Sequence, residues 1–294
     1  MTQAMSGPGT APALSGSGAD ALVPVPPARF RAVRADAADP LRLGAFWAAV
    51  LDQPLVVDRT DGSARLDPGP GRPGSATVSF DPVLEPQPEP RLGSRVRLAV
   101  RLVDADPAPL VALGAVVVAD PVPDAPWWVV ADPEGNPFRA VGPHPDVVGV
   151  TRVTPFELVV DSLDPRAQAR WWAGAVGGEV GHDVDRGVAW ISGAVGFPYA
   201  YWVFVTVPTP GSVGNRWHWD VELTGTGPGP LRARGATLVT RPGADTARRD
   251  TGHTAADRWV LADPEGNEFR ADPGTADGSA QAGAAPGVGS GLSA

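Results

Sequence analysis

The chain has 294 residues, 43% of them hydrophobic, and a formal net charge of −9. That size suits about two packed domains, and the negative charge argues against nucleic acid or an anionic membrane as partner, since both draw on a positive field. All 24 basic residues are Arg and there is no Cys, which excludes a Schiff-base lysine, a thiol nucleophile and a thiolate metal ligand. No run is long and apolar enough to span a bilayer and no secretory pattern stands at the N-terminus, so a cytoplasmic protein is expected.

Residues 1–27 are mostly Ala, Gly, Ser and Pro with little charge, and are expected to form a tail with too little apolar surface to offset ordering. Asp39-Pro40 then supplies a capping carboxylate followed by a proline suited to the first helical position. Leu43, Phe46, Trp47, Val50 and Leu51 follow at helical spacing. A second unit opens near Arg95 with a strand, continues through a short helix ending near Gly114, and closes in a hairpin through Asp132-Pro133-Glu134-Gly135-Asn136. In that hairpin Asp and Pro suit a type I turn, and Gly supplies the left-handed residue of a bulged loop.

The same landmarks then return in the same order. Trp127–Ala140 (WWVVADPEGNPFRA) reappears as Arg258–Ala271 (RWVLADPEGNEFRA) at an offset of 131 residues. ADPLRLGAFW around Asp39 reappears as LDPRAQARWW around Asp164 at 125, and GSRVRLAV at Gly93 as GNRWHWDV at Gly214 at 121. The second helix is expected to carry Ala167, Trp171, Trp172 and Val176 on one face. Strands are expected at Phe156 to Val160 and Tyr199 to Val207, and an enlarged loop at Ala244 to His253. The reading is a tandem repeat: a module over 28–142, a linker over 143–149, a second module over 150–272, and a tail over 273–294.

The ordered set of DP-x-x-x-x-x-FW helix, NR-x-H-x-D strand at Asn215 and closing DPEGN hairpin, present twice, resembles the glyoxalase/bleomycin-resistance modules of the vicinal oxygen chelate superfamily, in their actinobacterial glyoxalase-like type. The resemblance implies an α+β fold: two tandem modules, each a paired βαβββ unit forming a cupped mixed sheet with helices on the outer face. It also implies metal-ligand positions inside each cup. These fall on Ala32, Asp81, Arg97 and Arg139 in the first module, and on Glu157, a residue near Val205, His218 and Arg270 in the second. Guanidiniums at such positions repel a divalent ion and compete for its carboxylates, so no metal and no cofactor are expected.

Strand alternation sends Arg270 to the face opposite Phe269, Arg139 opposite Phe138, and His218 with Asp220 opposite Trp217 and Trp219. The second cup is therefore expected to hold Glu157, His218 and Arg270, rimmed by Trp202, Tyr201 or Trp190. In one reading Glu157 and His218 form an acid/base pair and Arg270 anchors an anion. In the other a buried Glu157–Arg270 pair merely keeps the cup open. Arg97 and Arg139 suggest a carboxylate or phosphate site in the first cup, unless Asp81 or neighbouring acids pair with them. The expected function is metal-independent binding of a small molecule, by a monomer with paired modules or a homodimer. The alternative is a lyase, isomerase or dioxygenase using His218 and Glu157, with or without a metal.

Overall fold

A computed structural model of the chain describes residues 25–67, 69, 77–83, 94–123, 125–143, 151–209, 215–240 and 258–274. The expected tails (residues 25–27 and 273–274 apart), most of the linker with His144, and the enlarged loop with His253 lie outside the described residues. No helix among the described residues is long and apolar enough to cross a membrane.

Four units of one design follow each other. The first is β1 (Ala28–Ala37), α1 (Pro40–Leu51), β2 (Leu55–Val57), β3 (Ala64–Leu66) and β4 (Thr77–Pro82). The second is β5 (Val96–Arg101), α2 (Ala108–Ala112), β6 (Val116–Ala119), β7 (Trp127–Ala131) and β8 (Pro137–Val141). The third is β9 (Thr154–Ser162), α3 (Pro165–Val176), β10 (Glu179–Asp183), β11 (Val188–Ser192) and β12 (Tyr201–Thr206). The fourth is β13 (Trp217–Leu223), α4 (Gly229–Ala233), β14 (Thr237–Thr240), β15 (Trp259–Ala262) and β16 (Glu268–Asp272).

Both long helices begin as their sequences require: Asp39 accepts from the Arg42 N–H, Asp164 from the Ala167 N–H, and a proline occupies the first turn of each. Leu43, Phe46, Trp47, Val50 and Leu51 are all buried. In α3 the buried stripe runs through Gln168, Ala169, Trp172, Ala175 and Val176, whereas Ala167 is exposed. Gln168 holds the place of Leu43, and its amide is satisfied by the Asp263 carboxylate. A polar residue at a core position thus shifts the apparent stripe by one residue.

The sheets cross the repeat. Sheet 1 has the order β14-β15-β16-β13-β1-β4-β3-β2, and sheet 2 the order β10-β11-β12-β9-β5-β8-β7-β6. Each eight-stranded mixed sheet is therefore a pair of βαβββ units, one drawn from each module: first with fourth, second with third. The seams are antiparallel, β1 on β13 and β5 on β9. Both carry a bulge, at Arg31 and at Phe156, between Phe30 and Ala32 and between Pro155 and Glu157.

One hydrophobic core lies between the two sheets. Trp47 of α1 packs on Phe138 of sheet 2 at 5.0 Å and on Trp217 of sheet 1 at 5.6 Å. Trp172 of α3 packs on Trp202 of sheet 2 at 4.7 Å and on Trp219 of sheet 1 at 5.3 Å. Their indole N–H groups donate to Asp132 and Asp263, the first residues of the two hairpin loops, at 3.3 and 3.0 Å. This explains why the tryptophan helix and the DPEGN loop recur together: a buried indole needs an acceptor, and the loop delivers it. Gly135 and Gly266 take the expected left-handed φ of 78° and 81°.

The glutamates of these loops do more than turn the chain. Glu134 accepts from the N–H groups of Ala38 and Asp39 at the entry to α1 and from Arg216 of sheet 1. Glu265 accepts from the N–H groups of Leu163 and Asp164 and from the Ser162 hydroxyl, beside Arg95 of sheet 2. Each hairpin therefore braces the other sheet.

Candidate functional site

Crossing the modules regroups the cup residues. Sheet 1 carries Ala32, Asp81, His218 and Arg270; sheet 2 carries Glu157, Val205, Arg97 and Arg139. Glu157 is thus not beside His218 or Arg270. Their strand neighbours Leu158, Trp217, Trp219 and Phe269 all enter the shared core, so by alternation the two groups point away from that core in opposite directions. The physical reason is the pairing of β1 with β13, which moves the fourth unit away from the third.

In sheet 1 the face away from the core is closed by ion pairs. Arg34, 7% exposed, donates through Nε to Asp220 at 2.5 Å and through Nη1 to both oxygens of Asp81 at 2.9 and 3.0 Å. Arg270 also reaches Asp81, at 3.1 Å. Burial opposes the Arg34 charge, but Asp220 and Asp81 outweigh it and hold the guanidinium above its ordinary value. Burial likewise works against Asp81 and Asp220, yet Arg34 and Arg270 hold both carboxyls below the usual range. At the edge, Arg31 and Arg258 converge on Asp272, each at 2.6 Å.

His218 lies within this network, and burial together with Arg270 pushes its imidazole down to about 4. Its ordinary value is 6.5, so between those pH values the unfolded chain binds the proton that the folded chain refuses. The stabilisation is complete above pH 6.5 and is lost as pH falls toward 4. Between pH 7 and pH 4.5 wild type is expected to lose on the order of 2–3 kcal/mol more than His218→Gln, measured by urea unfolding of both proteins at the two pH values. Parallel curves would rule out a neutral buried His218.

The residues at the metal-ligand positions do not fit a divalent ion. Sheet 1 offers Asp81, which two guanidiniums already occupy, and His218; sheet 2 offers Glu157 opposite two arginines. Among the described residues no three His, Cys, Asp or Glu side chains are placed so as to hold a metal ion.

Sheet 2 is differently furnished. Arg97 is tied to Asp161 through both Nη atoms. Arg139 is not: its guanidinium stacks on the Trp127 ring at 4.4 Å, and no carboxylate of the described residues reaches ion-pair distance. Burial and the neighbouring Arg97 pull it down to about 10, against the attraction of Glu157 and Asp161, so it remains a cation at neutral pH. Burial raises the Glu157 carboxyl, opposed by Arg139 and Arg101. Arg101 stacks over Phe156 at 4.3 Å, which the bulge turns away from the core.

Trp190 and Tyr201 stand on the face of sheet 2 away from the core, since Ile191 and Trp202 enter the core. Trp190 lies over Gly181 of the edge strand, where any side chain would collide with its ring. Trp202 is fully buried, stacked on Phe197 at 5.4 Å and packed on Trp172; it belongs to the core and lines no cup.

The profile of the family described as "Glyoxalase-like domain" matches residues 32–141 and 157–271. The chain belongs to this family. No curated protein gives a match. Among solved structures, glyoxalase I from Zea mays is similar at 12% identity and a TM-score of 0.58, over 84% of this chain and 92% of that one. A putative dioxygenase from Bacillus subtilis subsp. subtilis str. 168 is similar at 14% identity and a TM-score of 0.56, over 85% of this chain and 86% of that one. At such identities these neighbours establish the fold of the glyoxalase-like chain alone.

Proposed function

We propose that this glyoxalase-like protein binds a small organic anion on the face of sheet 2 away from the core, without a metal, and that Arg139 is the anchor. The observation that carries this reading is a largely buried guanidinium stacked on Trp127 with no carboxylate partner among the described residues. A charge removed from water is costly unless paired, and an incoming carboxylate supplies the pair. Sheet 1 takes no part as a ligand site, because its own aspartates occupy its arginines.

The reading favours binding over catalysis. An enzymatic version would run through Glu157 alone, whose carboxyl is raised by burial and so better suited to accept a proton near neutral pH.

A thermal-shift and calorimetric screen of organic acids and divalent cations tests it. Carboxylates are expected to stabilise the protein, and Arg139→Gln to weaken their binding tenfold or more, as loss of a charge-assisted hydrogen bond implies. A rise in melting temperature with a divalent cation, or carboxylate binding indifferent to Arg139→Gln, would sink the proposal.

A further inference from the structure

The outer sides of the two long helices differ in charge. On α3, Arg166 and Arg170 are exposed, and the exposed Arg234 at the end of α4 joins them. Trp171 of α3 donates through Nε1 to the Arg234 carbonyl at 2.8 Å, which fixes the end of α4 against α3. The Arg234 guanidinium then lies over Gly174, its Nη1 2.5 Å from where a Cβ would stand. Positions 166, 170 and 174 follow at one-turn spacing, so three guanidiniums line one side of α3 at steps of about 6 Å. No carboxylate of the described residues pairs with any of the three. At the repeat offsets of 125 and 121 residues the first module has Leu41, Ala45 and Leu113 in these places, exposed as well.

The fold does not need this row, because α1 forms with the same cap, the same first-turn proline and a buried stripe but no cation at these positions. The row even works against its own helix. Arg166 stands in the first turn, at the positive end of the helix dipole, and Arg166 and Arg170 are like charges four residues apart. We propose that this side of α3 docks a helical segment of a partner protein that carries carboxylates four residues apart. Each guanidinium offers a carboxylate two parallel donors, and Glu at every fourth position of a helix advances by the same step of about 6 Å. An acidic protein segment is favoured over nucleic acid because the chain has a net charge of −9. A phosphate backbone draws on a positive field wider than three side chains supply. The docking side is separate from Arg139, which points away from the core that the buried stripe of α3 enters, so it does not depend on the organic-anion reading.

Fluorescence anisotropy on the full chain at low salt tests this with three labelled probes of equal charge. They are an alanine-rich peptide with glutamates at every fourth position, its isomer with the glutamates consecutive, and an oligothymidylate. The spaced peptide is expected to bind about tenfold tighter than the other two and to weaken as salt is added, as exposed ion pairs do. Arg170→Ala is expected to lower its affinity about threefold. The triple variant Arg166→Leu, Arg170→Ala, Arg234→Leu, which gives the second module the residues of the first, is expected to abolish binding. It is also expected to melt no lower than wild type, since it removes like-charge repulsion along α3. A clearly lower melting temperature would show that the row serves the fold and would overturn the proposal. Equal affinity for the two peptides would overturn the helical partner, and tighter binding of the oligothymidylate would overturn the acidic protein segment. Binding unchanged in the triple variant, or no binding of the spaced peptide to wild type, would overturn the docking side itself.

Discussion

Asp220→Ala is expected to destabilise the protein by about 3–5 kcal/mol, because it removes one carboxylate from a buried ion-pair network. Arg34 is 7% exposed and divides its donors between Asp220 and Asp81. With Asp220 gone, Arg34 loses the acceptor of its Nε, and the Asp81 carboxylate is still shared with Arg270. The double variant Arg34→Val with Asp220→Ala is expected to recover most of that loss. It removes both charges together, and it places in sheet 1 the two residue types that sheet 2 already carries at those positions, Val159 and Ala99. Urea unfolding of the single and double variants at pH 7 gives the comparison. If the double variant is as unstable as the single one, the network contributes through packing and not through charge compensation.

Glu265→Ala should cost about 2–4 kcal/mol, because it removes the acceptor of the buried Ser162 hydroxyl and of two N–H groups at the entry to α3, and the partner of Arg95. The carboxylate caps the N–H groups of Leu163 and Asp164, accepts from the Ser162 hydroxyl and faces Arg95, a residue 9% exposed. Glu134 holds the corresponding place at α1, so Glu134→Ala is expected to fall in the same range. Hydrogen exchange gives a sharper readout than global unfolding. The amides of Leu163 and Asp164 should exchange faster in Glu265→Ala, while those of Ala38 and Asp39 stay protected. Unchanged exchange at all four would mean that the glutamates are turn residues only.

Much of this structure is legible in the sequence because it is locally encoded. The helix caps at Asp39 and Asp164 need only their own first turn, and the hairpin needs only a glycine that accepts positive φ. Alternation places Trp217 and Trp219 opposite His218 and Asp220 without knowledge of any partner strand. The choice of partner is a different matter. The strands opening at Arg95 and Arg216 share one pattern of alternating core residues, so no local signal tells β1 which of them to take. The Glu157–His218 pairing expected from module boundaries fails on that point alone. Trp202 could have been placed better: it shares parity with Phe204, and two large aromatics on one face mark the core side, leaving Tyr201 and Val203 for the cup. The bracing role of Glu134 and Glu265 had no sequence signal, because turn geometry already accounted for the loop.

The nested order of the pairing also bears on how such a chain can be made. All the strands of sheet 2 come from one uninterrupted central stretch, so that half can close while the ribosome is still at work. Among the described strands β1 is synthesised first, yet its antiparallel partner β13 belongs to the fourth unit. It must wait with an unpaired edge until the second and third units have emerged, and unpaired edges are where nascent chains find the wrong neighbour.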